Sequence, residues 1–258
     1  MIYYKTEDEI ALIKEGAKIL GKAHAEVCKN IKEGVTTKFL DSIAFEFISD
    51  HNSKPSFKGY GGFPATLCIS VNDAVVHGIP NNYILKDGDL ISIDCGVFYK
   101  GYHSDSAYTY GVGNISDNDK KLLSVTKESL YLSIAQAKQG NRIGDIAFAC
   151  QSYVEKNGMS VVRELCGHGL GRDLHESPEV PNYGKRGAGP KLLEGLVIAI
   201  EPMVNFGKKE VQLESDGWTI KTKDGKKSAH FEHTIVIRKE KAEVLTTFEY
   251  IEEILNNG

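Results

Sequence analysis

Residues 90–108 read LISIDCGVFYKGYHSDSAY, the pattern of a β-hairpin. Ile91 and Ile93 alternate with Ser92 and Asp94, and β-branched and aromatic residues dominate both arms. Tyr99-Lys100-Gly101 reverses the chain, with Gly101 free to take a dihedral closed to other residues. A two-residue loop at Tyr99-Lys100 puts Asp94 directly opposite Asp105. Like charges so placed destabilise a sheet, and ionised carboxylates in an apolar strand pair are costly. A bound cation removes both objections, so the hairpin reads as half of a metal site. The competing reading is that one of the two aspartates caps a turn or faces water.

Working outward toward the N-terminus, Lys86-Asp87-Gly88-Asp89 is a turn into the hairpin, and Ala65–Val71 reads as a strand. Residues 53–64, SKPSFKGYGGFP, have loop chemistry with three aromatic side chains to place. Thr36 or Thr37 caps a helix with Leu40, Ile43, Ala44, Phe47 and Ile48 on one face. Thr6 and Glu9 form a capping box for an earlier helix running to about Asn30, with Ile10, Ile13, Ala17 and Leu20 at helical spacing. Beyond the hairpin the order starts again. Ser116 or Asp117 caps a helix through Leu122, Leu130 and Ile134, Gly140 breaks it, and a second helix from Ile143 ends at Gly158. Strands follow at Val161-Val162, Leu196–Ile200 and Phe231–Ile237. Ile43-Ala44-Phe45 recurs as Ile146-Ala147-Phe148. The repeated order predicts two similar halves, about 1–115 and 116–258, packed into one α/β (α+β) domain with a site between them.

Composition sets the class. The chain has 258 residues, long enough to bury a sizeable core, and 41% hydrophobic with 26% charged residues is ordinary for a globular protein. A net charge of −4 gives no global attraction to nucleic acid or an anionic membrane. Five cysteines, at 28, 68, 95, 150 and 166, are widely spaced, odd in number and form no CxxC pair, which predicts reduced thiols. The opening residues lack the basic-then-apolar pattern of a secretory signal, and no apolar run reaches membrane-spanning length.

Three further places carry ligand-type residues in unusual settings. Gly167 and Gly169 flank His168, letting backbone approach closely, and His175 follows seven residues on. The glycines forbid the helix that a two-histidine zinc motif needs. Glu201 ends the apolar run 195–200 and needs a partner, which could be Arg163 or Arg172. Glu232 stands inside another apolar strand, where an uncompensated carboxylate is improbable. Each taken alone has a structural explanation. Together, four carboxylates and one histidine suit two divalent first-row cations better than a single tetrahedral zinc. Two metals about 3.5–4 Å apart lower the pKa of a shared water and polarise a carbonyl, so the implied reaction is hydrolysis.

His77-Gly78, Asp94, Asp105, Gly167-His168-Gly169, His175, Glu201-Pro202 and Glu232 together resemble the methionine aminopeptidases of the pita-bread metallopeptidase family, and the match covers essentially the whole chain. Its length resembles type I. Type II enzymes carry an inserted subdomain, and the Cys/His-rich N-terminal extension of eukaryotic type I enzymes is missing. The resemblance implies two pseudo-symmetric halves of antiparallel sheet, covered by helices, around a central dinuclear site. It implies that Asp94 binds one metal, that Asp105 and Glu232 bridge both, and that His168 and Glu201 complete the shell of the other. Glu201 would shuttle the proton of the attacking water. His77 would contact the substrate amide, and His175 the scissile carbonyl oxygen. Tyr60, Phe63, Cys68, Leu174 and Trp218 match the pocket for the methionine side chain, although the family often has Tyr where Phe63 stands and Phe where Leu174 stands. Asn72 and Ser228 resemble positions of a monovalent-cation site. The metals implied are cobalt, manganese, iron or zinc. The implied setting is a cytoplasmic monomer that meets nascent polypeptide N-termini, with transient ribosome contact, no membrane and no specific nucleic acid. Two other readings stay open. A proline-directed relative, a prolidase or aminopeptidase P, usually has an additional N-terminal domain. A non-catalytic binding protein on the same fold would have lost ligands that are all present here.

Overall fold

Strands Leu90–Tyr99 and Tyr102–Gly111 form the expected hairpin in the computed structural model, which describes residues 1–257. The turn, however, is Lys100-Gly101, with Tyr99 opposite Tyr102. Both turn residues have positive φ, 47° and 90°. That is the primed-turn geometry whose twist matches a hairpin, and glycine adopts it without a Cβ clash. The expected register is therefore corrected by two positions: Asp94 faces Ala107, and Asp105 faces Gly96. A slip of one would have thrown one carboxylate to the other face. A slip of two keeps both on the same face as diagonal neighbours.

Leu67–Val71 and the short Lys54–Pro55 flank the first hairpin arm to complete a four-stranded sheet. Helices α1 (Glu7–Cys28) and α2 (Thr37–Asp50) pack beside it. The Thr6–Glu9 capping box is present in both directions, and Thr36 caps α2; a cap of this kind is worth about 1 kcal/mol. Ile10, Ile13, Ala17 and Leu20 are all essentially inaccessible, as their spacing predicts. Each of the larger three gains roughly 1.5–3 kcal/mol from burial.

Helices α3 (Asp117–Gln136) and α4 (Ile143–Lys156) repeat the arrangement, with Ser116 capping α3. A five-stranded sheet orders Glu243–Val244, His233–Val236, Val197–Ile200, Cys166–Gly169 and Glu176–Pro181. Helix α5 (Glu249–Asn257) closes the described chain. Two three-stranded sheets remain. One joins Ser228–His230, Met203–Asn205 and Ser160–Val161; the other joins Val211–Leu213, Ile220–Thr222 and Ala74–Val76. Every strand pair in the four sheets is antiparallel. The strand expected over 231–237 is shorter, His233–Val236, and Phe231-Glu232 separate it from another strand, Ser228–His230. All five cysteines are free. Among the described residues no helix is long and apolar enough to cross a membrane.

Candidate active site

The interruption at Phe231-Glu232 has a counterpart. Val197–Ile200 and Met203–Asn205 are likewise separated, at Glu201-Pro202. His233 pairs with Ile200 and His230 with Met203, so one register runs through both breaks and sets Glu201 across from Glu232. Proline lacks the N–H that a continuous ladder needs at this point. The ribbon docks on the hairpin exactly where the aspartates lie: Glu232 N–H donates to Ala107 O at 2.9 Å, and Ala107 is the partner of Asp94. Thr109 Oγ1 donates to His230 O at 2.7 Å, and Thr234 Oγ1 to Asp105 O at 2.7 Å.

His168 comes from the five-stranded sheet. A Cβ on Gly167 would sit 2.4 Å from Ala199 O, so only glycine lets this strand lie so close to its neighbour. The imidazole Nδ1 bonds Gly169 O at 2.9 Å. That fixes the ring and turns Nε2 toward Glu201 Oε1 at 3.7 Å and Asp105 Oδ2 at 4.0 Å. Ligand-type atoms of Asp105, His168 and Glu232 all lie within 4.8 Å of one another. Asp94 and Glu201 line the same cleft.

The electrostatics of this cluster are unfavourable for the protein alone. Burial lifts Asp94 to about 7. Burial, then the charges of Asp94 and Glu201, push Asp105 well above the carboxylate range. Burial and Asp94 do the same to Glu201, and burial with Asp105, Glu201 and Asp94 to Glu232. Burial depresses His168 to about 3, leaving Nε2 a neutral lone-pair donor. Asp94 Oδ1, Asp105 Oδ1 and Glu232 Oε1 are buried with no hydrogen-bond partner. The arginines that might have neutralised Glu201 are engaged elsewhere, Arg163 with Glu155 and Arg172 with Glu9. Orphaned, crowded carboxylates beside a fixed neutral imidazole fit divalent cations and fit little else.

The cleft extends from this cluster over an apolar wall and holds about 140 Å³. Phe57, Phe63, Ala65, Cys68 and Leu174 form a separate buried cluster, with Trp218 packed against it. Phe63 and Trp218 meet edge to face at 5.2 Å between centroids. Tyr60 lines the same cleft but stands at its rim, 44% exposed, and its hydroxyl shares a 2.8 Å hydrogen bond with His175 Nδ1. His175 in turn lies against the His168 ring at 4.3 Å. His77 also lines the cleft, held at φ 58°, a strained conformation for a non-glycine residue. Asn72 and Ser228 are adjacent, Ser228 N–H donating to Asn72 O at 2.9 Å.

Two residues were not foreseen. Phe57 completes the apolar wall. His230, fully buried, points Nε2 at Glu201 Oε2 from 3.7 Å. The signal for His230 was available: two positions before Glu232 in extended backbone lies on the same face.

A protein-family model described as "Metallopeptidase family M24" matches residues 11–239. Methionine aminopeptidase 1 of Bacillus subtilis (strain 168) is 54% identical over 246 residues, which is 95% of this chain and 99% of that protein. The crystal structure of a methionine aminopeptidase from Thermotoga maritima superposes with a TM-score of 0.94 at 44% identity, covering 96% of this chain and 100% of the other. The prolidase from Pyrococcus horikoshii OT3 superposes less closely, TM-score 0.76 at 25% identity, and this chain spans 63% of it. The chain belongs to metallopeptidase family M24 and, within it, to the methionine aminopeptidases. Its architecture is the pita-bread fold.

Proposed function

We propose that this enzyme removes the initiator methionine from the N-termini of nascent proteins and peptides whose second residue is small. The observation that carries the reading is the junction of two unlike surfaces in one cleft. Orphaned carboxylates with His168 form one end, and an apolar wall of Phe57, Phe63, Cys68, Leu174 and Trp218 forms the other. Asp94, Asp105, His168, Glu201 and Glu232 would hold two divalent cations, Asp105 and Glu232 serving both. Cobalt, manganese, iron or zinc all suit an oxygen-rich set of this kind. When bound, the cations supply an activated water and polarise the scissile carbonyl.

The remaining work falls to the chain. Phe63, Cys68, Leu174 and Trp218 take the methionine side chain, and Tyr60 covers the rim. Methionine is flexible and unbranched, so an apolar slot accepts it without branching clashes. Glu201 accepts a proton from the attacking water and returns it to the leaving amine. His175, its Nδ1 held by Tyr60, turns Nε2 to the carbonyl oxygen and stabilises its developing charge. His77 meets the substrate amide. A single catalytic domain, 1–258, with halves 1–115 and 116–258, is supported by the pairing of Ala74–Val76 with Ile220–Thr222. A monovalent cation near Asn72 and Ser228 completes the proposal. The Asn72 side chain is committed to Asp89 and the Leu90 N–H, so backbone oxygens would hold that ion. The enzyme acts as a cytoplasmic monomer with transient contact at the ribosome.

The test is metal analysis of purified protein together with cleavage of Met-Ala-Ser and Met-Lys-Ser under several defined metals. Release of methionine from the first peptide and not the second is expected. Preferential cleavage of Xaa-Pro bonds whatever the first residue would overturn the reading in favour of a proline-directed enzyme.

A further inference from the structure

The loop between Cys166–Gly169 and Glu176–Pro181 brings Leu174 and His175 into the cleft, while Arg172 and Asp173, between them and the first of these strands, are exposed. What holds it lies at the other end of the chain. Lys5 is buried, and its ammonium pairs with the Glu176 carboxylate, each side chain only 4% exposed. The second Glu176 oxygen, Oε1, accepts the backbone N–H of Arg172 at 2.9 Å and of Asp173 at 3.4 Å. The Lys5 stem passes so near Gly171 that a Cβ there would lie 2.3 Å from Lys5 Cε. Backbone contacts anchor the segment itself: Lys5 N–H donates to Gly195 O at 2.8 Å, Tyr4 bridges Leu196, and Ile2 bridges Ser177. A second tie comes from α1, where Glu9 accepts from both Tyr102 at 2.6 Å and Arg172 at 3.0 Å.

From this geometry we infer that Lys5 and Glu176 are positioning residues for His175. The pair rests on the role of His175 given above. Lys5 touches no substrate. It orients Glu176, Glu176 fixes the backbone at 172 and 173, and that backbone sets where Leu174 and His175 enter the cleft. A buried charged pair with both carboxylate oxygens employed has little freedom to drift. The loop is thus pinned from its outer side by the N-terminal segment and from its inner side by the Tyr60 hydroxyl.

Removing Lys5 alone strands a buried carboxylate, so the informative variant is Lys5→Met combined with Glu176→Gln. This pair is neutral and keeps an acceptor for the 172 and 173 amides. It is compared with Lys5→Arg, with His175→Ala and with the triple variant, each loaded with the same metal and assayed on Met-Ala-Ser. The expected result is a fall in kcat of about tenfold or more for the Met/Gln pair, with metal stoichiometry unchanged, KM changed far less, and substantial recovery in Lys5→Arg. On the His175→Ala background the same pair should have little further effect, because residues acting as one unit are non-additive. Effects that multiply, or an unchanged kcat in the Met/Gln pair, would overturn the inference. An unchanged kcat in His175→Ala alone would instead overturn the role of His175 itself. If the Met/Gln pair does not fold, Glu176→Gln alone decides by the same split: kcat lowered at constant KM and metal content, and not lowered further beside His175→Ala.

Discussion

Glu201 stands across from Glu232 in a ribbon whose register continues on both sides of them but whose ladder is broken at their positions. Two glutamates opposed in a sheet would ordinarily repel. Here the break carries them out of the ladder and onto the aspartate face of a second hairpin.

Replacing a ligand proposed to serve both metals should remove the centre as a unit. Asp105→Ala and Glu232→Ala are each expected to abolish activity and most metal binding, while folding survives because the variant relieves crowding among buried acids. Metal content after dialysis and turnover are the measurements. Two tightly held ions with normal turnover in either variant would refute the bridging assignment.

His175→Ala should separate chemistry from metal binding. Loss of one donor to a developing oxyanion typically lowers the rate about 10²–10³-fold, and metal content should stay at the wild-type value. Tyr60→Phe removes only the hydrogen bond at Nδ1 and should lower kcat by a smaller factor, about 2–10-fold, in keeping with one hydrogen bond of roughly 0.5–1.5 kcal/mol. If His175→Ala loses metal in proportion to activity, His175 is a ligand.

Stabilisation by metal should grow with pH. In the metal-free protein the raised carboxylates keep protons that the unfolded chain has released, with Asp94 titrating at about 7. The Asp94 contribution is full below the ordinary range near about 4 and is lost as pH rises through about 7; the raised Asp105, Glu201 and Glu232 carboxyls act in the same direction. Buried histidines oppose this: His24 and His230, depressed to about 4 and about 3, contribute above about 6.5 and lose that contribution as pH falls through their folded values. The absolute stability curve mixes the two. The difference between metal-loaded and metal-free protein isolates the carboxylates, because bound cations remove their repulsion. The increase in unfolding temperature given by saturating Mn²⁺ should therefore be larger at pH 8 than at pH 5. An increase independent of pH would show that the carboxylates do not hold the ion.

The wall of the pocket sets preference at the first residue. Met should be cleaved best, norleucine next and Leu poorly, with charged residues refused because they would be buried unpaired. One methylene is worth only about 1–3 kcal/mol, so rejection of Leu rests on shape. Leu174, 2% exposed, is the residue to shorten. Leu174→Ala should narrow the gap between Met and Leu tripeptides, at some cost in stability of about 2–5 kcal/mol. An unchanged preference would place the side chain elsewhere.

The sequence carried the helices almost to the residue, because caps such as Thr6, Thr36 and Ser116 are local chemistry. It pointed to the residues that line the cleft because Asp94, Asp105, Glu201 and Glu232 are carboxylates in settings where carboxylates are costly. The hairpin register failed by two because it depended on whether Lys100 would accept a positive φ, which only the twist of the completed strands decides. The break at Phe231-Glu232 was invisible for a similar reason. Nothing local distinguishes a strand that changes sheets from one that continues. Tyr60, matched to the pocket by resemblance, does line the cleft, and its exposed place at the rim follows from the loop around it. The Lys5–Glu176 pair went unread, since neither residue is unusual until the two ends of the chain are seen together.

The stitching of the ribbon to the hairpin also fixes when the centre can exist. Thr109 and His230 are 121 residues apart in the chain, and contacts of such separation form late in folding. During synthesis the first half, with both aspartates, leaves the ribosome long before Glu232 is made. A nascent copy of this enzyme therefore carries only two of the five proposed ligands, Asp94 and Asp105, until the second half of its chain has emerged. It cannot act on its neighbours, or on itself, before its own translation is nearly complete.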